Sequence, residues 1–132
     1  MLADTDLAGA IHALSHVTGG GIAANLARVL PVGSWVEVDR STWSPAPVFR
    51  VLSDMAGTSL ESAEGTWNLG VGMFAVVDAG SASSVIARLA SSGIPAWVTG
   101  RVSMAPHDIT GFEQGAKGVN GGAVRLVGSF AG

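Results

Sequence analysis

The sequence predicts an α+β fold, a mixed β-sheet layered with α-helices, in a single domain of 132 residues. Three observations carry that expectation. Helical stripes and short apolar runs alternate along most of the chain, and then two strand signals come together, an order that suits a mixed sheet with helices against it. A chain of this length can bury about two thirds of its unfolded surface, so a core forms without staples. Hydrophobic residues make up 48% and there is no cysteine, which excludes a disulfide scaffold, a thiolate metal site and a cysteine nucleophile. Two values depart from the ordinary. The charged fraction is 13%, against about 25% in a usual soluble domain. The 19 glycines are about twice the usual share.

Taken in order, Leu7, Ile11 and Leu14 form an i, i+4, i+7 stripe that predicts a first helix, with Asp4, Thr5 and Asp6 as caps. A second helix is expected over 22–30, with Ile22, Leu26 and Val29 on one face, Arg28 in its last turn and Pro31 as its stop. Trp35 to Asp39 alternates as a strand. Ser44-Pro45 opens a helix whose inward face would be Val48, Leu52 and Met55. The polar stretch Thr58 to Gly65 has room for a helical turn. Val71 to Val77 is nearly all apolar and reads as a central strand buried on both faces. Ser81 to Ser92 is a helix ended by Gly93 and Pro95, with Val85, Ile86, Leu89 and Ala90 inward. Ala96 to Val102 is a strand, Ser103 to Asn120 a long loop, and Gly122 to Val127 the last strand. No internal repeat is visible.

Charge narrows the function classes. The net charge is −3 and the seven basic residues are scattered, so no nucleic-acid partner is expected. No apolar stretch reaches the ~18 residues of a membrane helix. The acidic N-terminus is unlike a signal peptide, and the expected location is the cytoplasm.

Two glycine-containing runs are the candidate chemistry. His16-Val17-Thr18-Gly19-Gly20-Gly21 precedes the second predicted helix. Backbone N–H groups at a helix start lack internal partners, and glycines let a phosphate approach them. A tight turn between packed helices would use the same residues. No Gly-Lys-Ser/Thr follows, so this is not a P-loop. His16 could act as a base, a donor to substrate or a plain helix-end residue. His12 and His16 have the spacing of two metal ligands on a helix, but no third ligand is evident, and no metal site is expected. The second run is Asn68-Leu69-Gly70-Val71-Gly72-Met73. Glycine at the mouth of a strand marks either close approach of a ligand or backbone, or a bulge. The acidic residues show no paired spacing, and no Ser-His-Asp arrangement can be read.

The first run, with Asn25 and Arg28-Val29-Leu30-Pro31, resembles the "H-I-T-G-G-G … E-N … R-V-L-P" pattern of the phosphoribosylformylglycinamidine cyclo-ligase family, also called aminoimidazole ribonucleotide synthetases or PurM. Thr66-Trp67-Asn68-Leu69-Gly70-Val71-Gly72-Met73 resembles the family's "T-F-N-M-G-I-G-M", and Pro47-Val48-Phe49 and Ala96 to Val102 fall in the family's order. The resemblance covers nearly the whole chain. It implies the C-terminal domain of such an enzyme, α+β and partly ferredoxin-like, with the N-terminal ATP-binding domain absent. It implies an ATP-dependent ring closure of formylglycinamidine ribonucleotide to aminoimidazole ribonucleotide in purine biosynthesis. ATP and magnesium belong to the full-length enzyme, none is expected on this domain alone, and the isolated domain is expected to be inactive. The implied partners are the substrate, the missing N-terminal domain and further copies in a homo-oligomer. The implied ligand-facing residues are His16, Thr18, Gly19, Gly20, Gly21, Asn25, Asn68, Gly70 and Gly72. One departure stands out: the family often has a basic residue where this chain has Gly65, and Trp67 replaces phenylalanine. Two other readings stay open. One is another member of the same ATP-binding superfamily, and the other is a non-catalytic association domain. The low charge is expected to reflect a surface that a partner covers, with self-association of the domain on its own.

Overall fold

The computed structural model describes residues 5–132. A short helix α1 (Thr5–Ala8) leads into strand β1 (Ile11–His16), helix α2 (Gly21–Ala27) and strand β2 (Trp35–Asp39). Next come helices α3 (Pro47–Ala56) and α4 (Leu60–Ala63), strand β3 (Met73–Val77) and helix α5 (Ala82–Ala90). Strands β4 (Glu113–Ala116) and β5 (Val119–Val127) close the chain. The α+β class holds, but the strands form two sheets rather than one. β1 pairs antiparallel with β3 as a two-stranded ribbon. The second sheet has the order β2-β5-β4 and is mixed, since β5 runs parallel to β2 and antiparallel to β4.

The apolar core lies where α2 packs between these sheets. Ile22, Leu26 and Ala27 of α2 join Val36 and Val38 of β2, Phe74 of β3, Val124 and Leu126 of β5, and Trp43. The second predicted helix is therefore present, shorter than its apolar stripe, with Arg28 at its C-cap. Two glycines of β5 let the strand approach α2 this closely. A Cβ on Gly121 would collide with the Ala27 carbonyl, and one on Gly122 would lie 2.7 Å from Leu30 Cβ.

Four expectations are corrected. The Leu7–Leu14 stripe is not a helix: α1 stops at Ala8, and Ile11 to His16 is extended. Ala13 and Ser15 point inward and His12, Leu14 and His16 outward, a period of two fixed by pairing with Met73–Val77, residues far away in sequence. β3 is not buried on both faces: Phe74 is buried while Met73 and Ala75, on the other face, are exposed. The helix expected from Ser44-Pro45 begins at Pro47, and its Val48, Leu52 and Met55 face solvent, Met55 at 80% exposure. α3 is held from another side, through buried Ser53 and through Phe49, whose ring lies 6.2 Å from that of Trp67. Finally, Ala96 to Val102 is not a regular strand. It runs along the free edge of β2 and bonds near its ends, where the Asp39 amide donates to Thr99 at 2.8 Å and Trp35 and Ser103 exchange two bonds of 2.9 Å.

The long loop expected over 103–120 contains β4 and the tight turn to β5. The helix expected over 81–92 is α5, ended by Gly93 at φ +74° as its sequence predicts; Val85 is buried, but Ala90 is exposed.

Candidate functional site

The β1–β3 ribbon brings the two glycine-containing runs together. His16 lies opposite Met73, and one residue further the Val17 amide donates to the Gly72 carbonyl at 3.0 Å. The start of the first run and the end of the second thus share one end of the ribbon.

The loop after β1 is organised from beneath by Asn25, which is fully buried. Its amide nitrogen donates to the carbonyls of Gly21 (2.6 Å) and Thr18 (3.0 Å). Its Oδ1 accepts from the Thr18 hydroxyl at 3.3 Å. Buried Ser15 ties down the Asn25 carbonyl at 2.6 Å. The amide is therefore spent on the loop, while Thr18, Gly19 and Gly20 remain exposed above it. Gly20 is the N-cap of α2, and no side chain caps it.

The third glycine has a different reason to be there. Gly21 is buried with φ +76°, and a Cβ on it would run into the Glu64 carbonyl. That same carbonyl accepts the Ile22 amide at 3.1 Å. Glu64 is held in turn by Arg40, whose guanidinium grips the carboxylate with two bonds of 2.6 and 2.8 Å. The Glu64 carboxylate is the main cause that holds the Arg40 guanidinium above its ordinary pKa. At Gly19, by contrast, an added Cβ would meet no atom within 4 Å, so only backbone freedom or openness to a ligand gives glycine an advantage there.

In the second run, Asn68 to Val71 is a turn closed by a 2.9 Å bond from the Val71 amide to the Asn68 carbonyl. Leu69 (φ +49°) and Gly70 (φ +92°) both adopt left-handed backbone, and the Asn68 side chain accepts the Gly70 amide at 3.1 Å. Leu69 tolerates this because its side chain is fully buried. A Cβ on Gly70 or Gly72 would meet nothing within 4 Å, so neither is a site of tight backbone approach within the chain.

His16 lies on the exposed face of β1 and not on a helix. His12 is on that face too and bonds Asp78 Oδ1 at 2.8 Å. Among the described residues, no group of three His, Cys, Asp or Glu side chains is placed to hold a metal ion.

Lys117 touches the glycine loop and is not singled out by the sequence. It lies in the β4–β5 turn, and its ammonium donates to the Gly19 carbonyl at 2.6 Å and to Asn25 Oδ1 at 3.4 Å. The available signal is Lys117-Gly118 between two extended segments, a two-residue hairpin turn. Within a long loop, the lysine has no address. A separate cavity of about 380 Å³ is lined by Trp35, Met104, His107, Gln114 and neighbours, and by no residue of the glycine loop.

The family described as "AIR synthase related protein, C-terminal domain" matches residues 2–112. The chain belongs to this family. Two curated relatives agree. A Streptomyces fradiae protein named "Putative phosphoribosylformylglycinamidine cyclo-ligase" is 42% identical over 121 residues, 92% of this chain and 62% of the relative. The phosphoribosylformylglycinamidine cyclo-ligase of Sorangium cellulosum is 46% identical over 95 residues, 70% of this chain and 27% of the relative. The chain therefore spans under two thirds of the first relative and about a quarter of the second. Both glycine runs fall inside the stretch matched to the AIR synthase C-terminal family, and Lys117 falls outside it. Among the described residues, no helix is long and apolar enough to cross a membrane.

Proposed function

We propose that this chain is the C-terminal part of an ATP-dependent phosphoribosylformylglycinamidine cyclo-ligase of purine biosynthesis, acting in the cytoplasm, and that its share of the work is to hold a phosphate-bearing ligand. The observation that carries the reading is the convergence of the two family runs at one end of the β1–β3 ribbon. There, Thr18, Gly19 and Gly20 present an exposed loop beneath which Asn25 is already satisfied. The Gly19 and Gly20 amides carry no side chain of their own, a setting that suits phosphate oxygens. In this proposal His16, Asn68, Gly70 and Gly72 line the same region, with Gly21 and Asn25 shaping the loop from below.

The whole reaction converts formylglycinamidine ribonucleotide to aminoimidazole ribonucleotide. ATP supplies the phosphoryl group that turns the formyl oxygen into a leaving group. The loop and Lys117 fit a phosphate, whether the substrate's or the nucleotide's. They do not fit magnesium, for among the described residues no group of three carboxylate or imidazole side chains is placed to hold a metal ion, and no step through the ion is assigned to these residues. What this chain does is bind and orient, which is how a ring closure between two ends of one substrate gains most of its rate. The ATP-binding half is proposed to lie outside these 132 residues, and self-association is part of the same proposal, supported by the apolar stripe that α3 leaves exposed.

The test is titration of the protein with formylglycinamidine ribonucleotide and, separately, with ATP, followed by backbone amide shifts. Shifts centred on Thr18 to Ile22 and Asn68 to Gly72 are expected from whichever ligand places its phosphate here. Saturable shifts centred elsewhere overturn the site. The 132 residues with both ligands are expected to give no turnover, and measurable turnover overturns the placement of the ATP chemistry outside them.

A further inference from the structure

We propose that Lys117 is the charge-bearing residue of the glycine loop: it fixes the loop through one or two of its protons and offers the remaining one to a ligand phosphate. The inference rests on the reading that the loop takes a phosphate, and it adds a residue from outside the family-matched stretch.

The placement is specific. Ala116 pairs with Val119, leaving Lys117 (φ +56°) and Gly118 (φ +77°) as a two-residue turn with both residues left-handed. Such a turn matches strand twist and favours asparagine or glycine at its first position. A lysine there gives up some local preference, and its side chain reaches across to a loop 98 residues away in sequence. The receiving loop is shaped for it. A Cβ on Gly20 would come within 3.3 Å of Lys117 Cε, so glycine at 20 leaves the lysine its path.

The electrostatics point the same way. Arg40 is paired with Glu64 and Arg125 with Glu37. Lys117 has no carboxylate partner among the described residues; it touches the Gly19 carbonyl and Asn25 Oδ1, both uncharged. The ammonium thus stands beside three exposed loop residues with only uncharged partners among the described residues. An ammonium carries three protons, and two oxygen partners leave one open. An anion that receives it gains a charge-assisted bond.

The experiment compares the protein with Lys117→Asn and Lys117→Arg. Asparagine suits the left-handed turn and keeps the hairpin, so it removes the charge without unsettling the fold, as an unchanged melting temperature will show. The probes are ribose 5-phosphate and inorganic phosphate, with affinity read by titration and loop order by amide hydrogen exchange at Gly19 to Ile22. Lys117→Asn is expected to weaken both probes by about tenfold or more, the loss of a hydrogen bond to a charged group, and to speed exchange at Gly19 and Gly20. Lys117→Arg is expected to recover most of the affinity. Wild-type affinity in Lys117→Asn overturns the role of the lysine and leaves the loop reading standing. Failure of the unaltered protein to bind either probe overturns the loop reading, and this inference with it. Ribose 5-phosphate binding more tightly than inorganic phosphate, with the same dependence on Lys117, supports the inference for a sugar phosphate in particular.

Discussion

At the scale of single residues, the three glycines of the first run separate cleanly. Gly21→Ala combines a left-handed backbone with a collision against the Glu64 carbonyl, so it should cost about 3 kcal/mol or more in urea unfolding. Gly19→Ala meets nothing and should change stability by no more than about 0.5 kcal/mol, while affecting any ligand that approaches the loop. Asn25→Ala removes the side-chain donor to the Thr18 and Gly21 carbonyls and the acceptor of the Thr18 hydroxyl; about 2 kcal/mol of stability should be lost by the same measurement. Asp39 contributes to the acid sensitivity, as does Asp108, whose carboxyl the Thr110 backbone amide holds below its ordinary value. Hydrogen bonding from Ser41, its side chain foremost and then its backbone amide, holds the Asp39 carboxyl below its ordinary value. A lowered folded pKa gives stability that is complete above the unfolded value of about 3.9 and lost as pH falls through the lower folded one. Asp39→Asn should therefore flatten the fall in unfolding free energy below roughly pH 4. Of these roles, only the glycines are visible as letters. That Gly21 is structural and Gly19 open depends on Glu64, which no local pattern connects to them.

At the scale of elements, helices are most legible where one stripe has one destination. α5 and α2 lie close to their expected places because their apolar residues meet the body of the protein. α3 keeps its helix but not its expected orientation. Val48, Val51, Leu52 and Met55 form a full i, i+3, i+4, i+7 stripe and are all exposed, since contact runs through Phe49 and Ser53 instead. At concentrations too low for self-association, Met55→Lys should accordingly leave the unfolding free energy within about 0.5 kcal/mol of the unaltered protein, where a buried methionine would lose several. β1 departs from expectation for a related reason. Leu7, Ile11 and Leu14 satisfy a helical spacing, and what overrides it is the ladder with β3. The Arg40–Glu64 pair links the turn after β2 to the end of α4 beneath the loop. Glu64→Gln leaves the backbone contact to Ile22 but weakens a largely shielded, two-pronged ion pair. A loss of about 2 kcal/mol is expected, with the loss shared by Arg40→Met in a double-mutant cycle.

At the scale of the whole molecule, stability should be uneven. β5 lies between two strands, and Val124 and Val38 beside it are fully buried. Its amides should be the slowest to exchange, and those of the two-stranded β1–β3 ribbon faster. Equal protection in both would contradict this division into two sheets. The ribbon also carries the candidate site, so the glycine loop is presented by a two-stranded ribbon while a three-stranded sheet supports the core. By itself the sequence determined the class, the family, most of the helices and the two glycine runs, because periodicity, caps and short motifs are written in neighbouring residues. Only the tertiary structure decided that the sheet is two sheets, that α3 turns its apolar stripe outward, that Glu64 supports Gly21, and that Lys117 stands over Gly19. Each of those depends on groups distant in sequence meeting in space, where packing and pairing outweigh the local preferences that a sequence displays.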